Sequence, residues 1–137
     1  MKKVLVLCTG NSCRSQMAEG YLRSFAKDKA AIFSAGVEIH GVNPLAVKMM
    51  KEDGIDISHQ TSNYVGEYKN VDFDYVITVC DHAKERCPVF PSSAKQFHQN
   101  FRDPAMAKGT EDAVLKEFRQ VREEIKIYCR KFVAENL

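Results

Sequence analysis

Val4-Leu5-Val6-Leu7-Cys8-Thr9-Gly10-Asn11-Ser12-Cys13-Arg14-Ser15 is the stretch on which the fold turns. Its apolar run, entered from Lys3, has the pattern of a central strand buried on both faces. The run stops at a glycine-bearing loop. Met17/Ala18, Tyr21/Leu22 and Phe25/Ala26 then recur at helical spacing, so Gln16 to about Asp28 is predicted as an amphipathic helix. Strand, loop and helix make the first half of a parallel β-α-β unit, and the rest of the chain repeats the theme. Ala31–Gly36 reads as a second strand. Asn43 is a helix N-cap before Pro44, and Asp53-Gly54 ends that helix. Phe73–Val79 is a third strand, running into Cys80, and Gln96–Phe101 a short fourth, stopped by Asp103-Pro104. From Thr110, the positions Val114, Phe118, Val121, Ile125, Tyr128 and Phe132 form one apolar stripe of a long closing helix. The expectation is an α/β fold: a doubly wound open sheet of about four parallel strands flanked by helices. Such sheets bind ligands beyond the carboxyl ends of their strands, where Cys8 and Cys80 both fall.

The 137 residues carry no linker, repeat or block of like charge, which predicts a single domain over 1–137. A net charge of +2 gives no reason to expect nucleic acid or a membrane surface as partner. No apolar run approaches the roughly 18 residues of a membrane span. Lys2-Lys3 before Val4–Leu7 imitates a signal peptide, but the apolar stretch is too short for one, so a cytoplasmic protein is expected. Five cysteines, an odd number, then point to catalytic, redox or metal roles rather than to structural disulfides.

Between a strand and a helix N-terminus, Thr9, Gly10, Asn11, Ser12, Cys13, Arg14 and Ser15 can turn backbone N–H groups inward as an anion-binding nest. Gly10 and Asn11 tolerate left-handed backbone. Arg14 offers a planar fork for two oxygens of a tetrahedral oxyanion. The same field is expected to depress the Cys8 pKa and make it a thiolate nucleophile, with Ser15 Oγ donating to the sulfur. Cys13 reads as a packing residue within the nest. Asp103, fixed by Pro104, is the candidate general acid for a departing oxygen.

Cys80 and Cys87 supply two further thiols, with Lys84 and Arg86 placed to favour thiolate formation. A zinc site prefers closer cysteine pairs than this spacing offers, and His82 reads as a surface histidine rather than a ligand. A phosphatase needs only Cys8, Arg14 and Asp103. Extra thiols become useful when the bound oxyanion accepts two electrons, as arsenate does and phosphate does not. Cys129, beside the stripe of the last helix, is expected in the core.

The chain resembles the thioredoxin-coupled arsenate reductases, which share the fold of the low-molecular-weight protein tyrosine phosphatases. The resemblance rests on Cys8–Gly20, Ser34-Ala35-Gly36, His40-Gly41-Val42-Asn43-Pro44, the Cys80/Cys87 pair with Pro88, and Asp103-Pro104-Ala105. It implies that Cys8 attacks arsenate held by the loop and Arg14 while Asp103 protonates the leaving hydroxyl. Cys80 would then form a Cys8–Cys80 disulfide and release arsenite, and Cys87 would convert it to Cys80–Cys87. Reduced thioredoxin, recharged by an NADPH-dependent reductase, would restore the thiols, with no bound cofactor, in a monomer serving arsenic detoxification. Some members bind potassium at positions matching Asn11, Glu19, Ser34, Thr61 and Asn63. Asn63 is neutral where those members carry aspartate, which argues against such a site, so no metal is expected. Two readings compete. A tyrosine phosphatase would place aromatic residues after Asp-Pro, where Ala105-Met106-Ala107 stand. A redox-sensing binding protein would not need a complete nucleophile, cradle and acid.

Overall fold

The computed structural model describes residues 1–81 and 94–137. Within them lie strands β1 (Lys2–Cys8), β2 (Ala30–Gly36), β3 (Tyr75–Thr78) and β4 (Lys95–His98). The α-helices are α1 (Arg14–Ala26), α2 (Pro44–Glu52) and α3 (Glu111–Asn136). All strand pairings are parallel, in the order β2-β1-β3-β4. The four-stranded parallel sheet flanked by helices is therefore the one expected. β1 is central, and Val4, Leu5, Val6 and Leu7 are fully buried, which is why its sequence lacks the alternation of a half-exposed strand.

Helix boundaries follow their local signals. Asn43 Oδ1 accepts from the Leu45 backbone N–H at 2.8 Å, with Pro44 in the first turn. Thr110 caps α3 through the Ala113 N–H, and Glu111 and Asp112 in its first turn suit the helix dipole. On α3, Phe118, Val121, Ile125 and Phe132 are buried as the stripe predicts, whereas Val114 and Tyr128 are only partly covered. Cys129 is buried with its thiol toward the Ala18 carbonyl, and burial raises its pKa, so it stays a core residue.

Several boundaries differ from the sequence reading, among them β4, which ends at His98 rather than Phe101. α1 begins at Arg14 rather than Gln16, so the cradle arginine is itself the first helical residue. β3 is four residues long, yet Val79 N–H still donates to the Leu7 carbonyl (2.9 Å) and Phe101 N–H to Val79 (3.0 Å). Pairing thus runs past both strands and brings Cys80 alongside the carboxyl end of β1, at the point where the strand order changes direction. Among the described residues no helix is long and apolar enough to cross a membrane.

Candidate active site

β1 delivers Cys8 to the floor of a cavity of about 200 Å³, lined also by Thr9, Gly10, Ser12, Cys13, Arg14, His40, Asp103 and Ala105. That volume suits a small anion. The N-terminus of α1 faces it without a side-chain cap at Cys13 and without an acidic residue in the first turn. Its positive dipole end and its first N–H groups are left for an external acceptor.

Arg14 is fixed from one side only. Its Nη1 donates to the Phe101 carbonyl at 3.0 Å, and Nη2 lies 3.7 Å from Asp103 Oδ2. Nε, fully buried, has no hydrogen-bond partner among the described residues. A buried guanidinium N–H without an acceptor costs free energy unless a ligand supplies one. A small oxyanion in the cavity would supply that acceptor. Asp103 caps the short 3-10 turn Pro104–Met106 by accepting from Ala105 N–H at 3.0 Å, which holds its carboxyl at the cavity edge.

The back of the loop is tied at Asn11, which is fully buried with φ +48°. Its Nδ2 donates to Ser15 Oγ (2.7 Å) and Ser34 Oγ (3.0 Å), and its Oδ1 accepts from Asn63 N–H (2.8 Å). Gln16 Nε2 donates to the Asn11 carbonyl. The side chains of Asn11 and Ser15 therefore brace the cradle from behind. No hydrogen bond joins Ser15 to Cys8, so the expected serine–thiolate contact is corrected. Gly10 does not use the left-handed backbone expected of it. A Cβ there would lie 2.5 Å from His40 Nδ1, so its role is to let the His40 ring pack on the loop. Gly36 serves a similar end: a Cβ would meet the Thr9 carbonyl at 2.7 Å and the Asn11 nitrogen at 2.8 Å.

Cys80 lies within reach of this floor. Its sulfur is 3.1 Å from Thr9 Oγ1. The Cys8 pKa is raised, contrary to the sequence reading: a hydrogen bond with Cys80 holds its proton, and burial penalises the thiolate. The Arg14 charge and the Thr9 N–H pull the other way and do not prevail. Burial and the Asp103 carboxylate push the Cys13 thiol up to about 12, so it stays protonated and inert. No disulfide joins any two of Cys8, Cys13, Cys80 and Cys129. Cys87, with His82, Lys84 and Arg86, lies outside the described residues.

On the far side of the loop, Glu19, Ser34, Thr61 and Asn63 line a polar hollow of about 190 Å³. Arg23 lines it too, and its Nη2 sits 2.7 Å from the nearly buried Glu19 carboxylate. The positive charge facing Glu19 is thus supplied by the chain. Among the described residues no cluster of three or more histidine, cysteine or carboxylate side chains has metal-binding geometry. Sequence reasoning gave no site role to the His40 ring or the Phe101 carbonyl, which only long-range packing brings to the loop, and it overlooked the i,i+4 pair of Arg23 with Glu19 on α1.

Residues 3–137 match the model of the low molecular weight phosphotyrosine protein phosphatase family. An arsenate reductase of Halalkalibacterium halodurans is 51% identical over 124 residues, covering 90% of this chain and 89% of that protein. An arsenate reductase of Bacillus subtilis is 47% identical over 131 residues, covering 96% and 94%. A solved arsenate reductase in the phosphate-binding state superposes with a TM-score of 0.81 at 36% identity, covering 98% of each chain.

Proposed function

This chain belongs to the low molecular weight phosphotyrosine protein phosphatase family, and from that premise we propose that it is an enzyme reducing arsenate to arsenite with its own thiols. The observation that carries the reading is the second sulfur: Cys80 stands 3.1 Å from Thr9 Oγ1, the residue next to the nucleophile in the oxyanion cradle. Hydrolysis of a phosphate ester has no use for it. The arsenate reductase relatives, at 47–51% identity over most of the chain, support the same reaction.

Arsenate enters with its oxygens toward Arg14 Nε and the α1 N–H groups. Cys8 sulfur attacks arsenic. The Cys8 thiol proton passes to the Asp103 carboxylate and from it to the departing hydroxide, which leaves as water. Cys80 then attacks the Cys8 sulfur. The sulfur–arsenic bond breaks with its electron pair going to arsenic, which leaves as arsenite, and a Cys8–Cys80 disulfide forms: two thiols oxidised, one arsenic(V) reduced to arsenic(III). In the proposed relay Cys87 next attacks Cys80 to give a Cys80–Cys87 disulfide and free Cys8. Reduced thioredoxin, recharged by its NADPH-dependent reductase, closes the cycle without a bound cofactor. The reading takes a monomer as the working unit, because none of its steps calls on a residue from a second chain. A cytoplasmic setting, where thiols are kept reduced, suits this chemistry.

The test is an NADPH-coupled assay with arsenate, thioredoxin and thioredoxin reductase, run beside aryl phosphate hydrolysis. Arsenate-dependent NADPH oxidation well above any hydrolysis supports the reading. Fast hydrolysis without arsenate-dependent oxidation overturns it.

A further inference from the structure

A hydrogen-bonded chain outside the oxyanion cavity encloses the peptide that carries Cys80. His98 Nδ1 lies 2.7 Å from Thr78 Oγ1, and His98 Nε2 lies 2.7 Å from Asp81 Oδ1. Thr78 precedes Cys80 by two residues and Asp81 follows it by one, so a single imidazole on β4 spans the thiol's own stretch of backbone. The parallel register already places Thr78 opposite His98. Gln99 N–H donates to the Thr78 carbonyl at 3.0 Å, Phe101 N–H to the Val79 carbonyl at 3.0 Å, and Asp81 N–H to Asn100 Oδ1 at 3.1 Å. An Asp81 carboxylate can only accept, so His98 Nε2 carries the hydrogen on that side. Thr78 Oγ1 can then donate to Nδ1.

We propose that His98 is a positioning residue for Cys80: by bridging Thr78 and Asp81 it holds the second thiol beside Thr9 and on line for the Cys8 sulfur. The inference rests on the reading above, in which Cys80 is the second thiol. An ordinary surface pair would act differently. The Asp81 side chain is 70% exposed, so its bond to His98 adds little to stability. Its loss therefore shows in the rate of one step and not in the melting temperature. A small displacement of a reacting group costs far more in rate than in fold stability.

The experiment uses the full chain carrying Cys87→Ser, in which the Cys8–Cys80 disulfide is the end of a single arsenate turnover. Its formation is followed by rapid quench, differential alkylation and mass spectrometry. Adding His98→Ala or Asp81→Ala slows disulfide formation at saturating arsenate by about tenfold. In Asp81→Ala the half-saturating arsenate concentration and the melting temperature stay those of the parent. His98→Gln, which keeps a donor toward Asp81, and Asp81→Asn, which keeps the acceptor, each recover most of the rate. Should His98→Ala fail to fold, the exposed Asp81 variants decide alone. Parental rates in the alanine variants overturn the inference, as does an equal loss in arsenate affinity, which would place the damage in the cradle. If the Cys87→Ser parent itself forms no Cys8–Cys80 disulfide, the reductase reading falls first, before either variant is compared.

Discussion

The two sulfurs at the carboxyl edge of the sheet are held in opposite ways. Around Cys8, the back of the loop is tied through buried partners: Asn11 ties three segments together, Gln16 and Gln60 brace it from below, and Gly36 lets the β2 end press against it. Around Cys80, the ties seen among the described residues run from His98 and Asn100 to Asp81, whose side chain reaches the surface. The contrast matches two tasks. The nucleophile must keep its place against an anion whose charge it shares, so its cradle is preorganised. The second thiol must attack the first and then accept attack in turn, and a fully locked sulfur could not do both.

Removing the sulfurs one at a time tests that division most severely. Cys8→Ser, Cys80→Ser and Cys87→Ser are each expected to end steady-state reduction, a loss of at least about 10³-fold. They separate in a single turnover. Only Cys87→Ser still releases arsenite, because its missing step follows product formation. A burst from Cys80→Ser as large as that from Cys87→Ser contradicts the order proposed.

Gly36→Ala strikes the rigid region without touching any reacting group. The new methyl would lie 2.4 Å from the Glu38 carbonyl, 2.7 Å from that of Thr9 and 2.8 Å from the Asn11 nitrogen, all backbone atoms that cannot turn aside. A destabilisation of about 1–3 kcal/mol is expected, together with weaker arsenate binding. Denaturant melts and equilibrium binding measure the two. Normal affinity in a folded Gly36→Ala chain would mean that the cradle is softer than its hydrogen bonds suggest.

A milder change sharpens the link between the regions. The leading reason the Cys8 pKa is raised is its hydrogen bond with Cys80, ahead of burial. Cys80→Ala removes that bond and leaves Arg14 and the Thr9 N–H to favour the thiolate. Since the thiolate is the reactive form, alkylation of Cys8 near pH 8 should be several-fold faster in Cys80→Ala, and its pH profile should move to lower pH. An unchanged profile, read by peptide mass spectrometry, would show that the sulfurs titrate independently.

Much of this was legible in the sequence wherever the signal is local. The β1 run, the Asn43–Pro44 helix start and the α3 stripe each depend on neighbours a few residues away, and each appears where expected. Cys8 and Arg14 were legible for the same reason, being one strand end and one helix start. Gly10 and Gly36 were not, since their function is set by His40 and Thr9, distant in the chain. The Ser15 expectation failed because Asn11 engages its oxygen from four residues away. The sign of the Cys8 shift was misjudged because the cradle's field was weighed without the second sulfur, which arrives from 72 residues further along.

The smallest effect belongs to a tie that serves neither sulfur, and it tests whether the contrast is confined to the sheet edge. Glu52 at the end of α2 accepts from Arg119 Nε and Nη2, both at 2.9 Å, and from Arg122 Nη1 at 2.8 Å, joining α2 to α3. Those hydrogen bonds from Arg119 and Arg122 bring its pKa from 4.5 down to about 2. A carboxylate depressed in the folded state lends stability above its unfolded pKa and loses it as pH falls toward the folded one. The contribution is therefore full at neutral pH and fades between pH 4.5 and about 2. In thermal melts Glu52→Gln should lie slightly below the parent at pH 7, and the gap should close across that window. Arsenate reduction at pH 7 should be unaltered, since no bond of Glu52 reaches β1, β3 or the loop between β1 and α1. A Glu52→Gln chain that lost activity while staying folded would show the nucleophile's rigidity to be a property of the whole helical layer, and the division between a locked and a releasable sulfur would have to be redrawn.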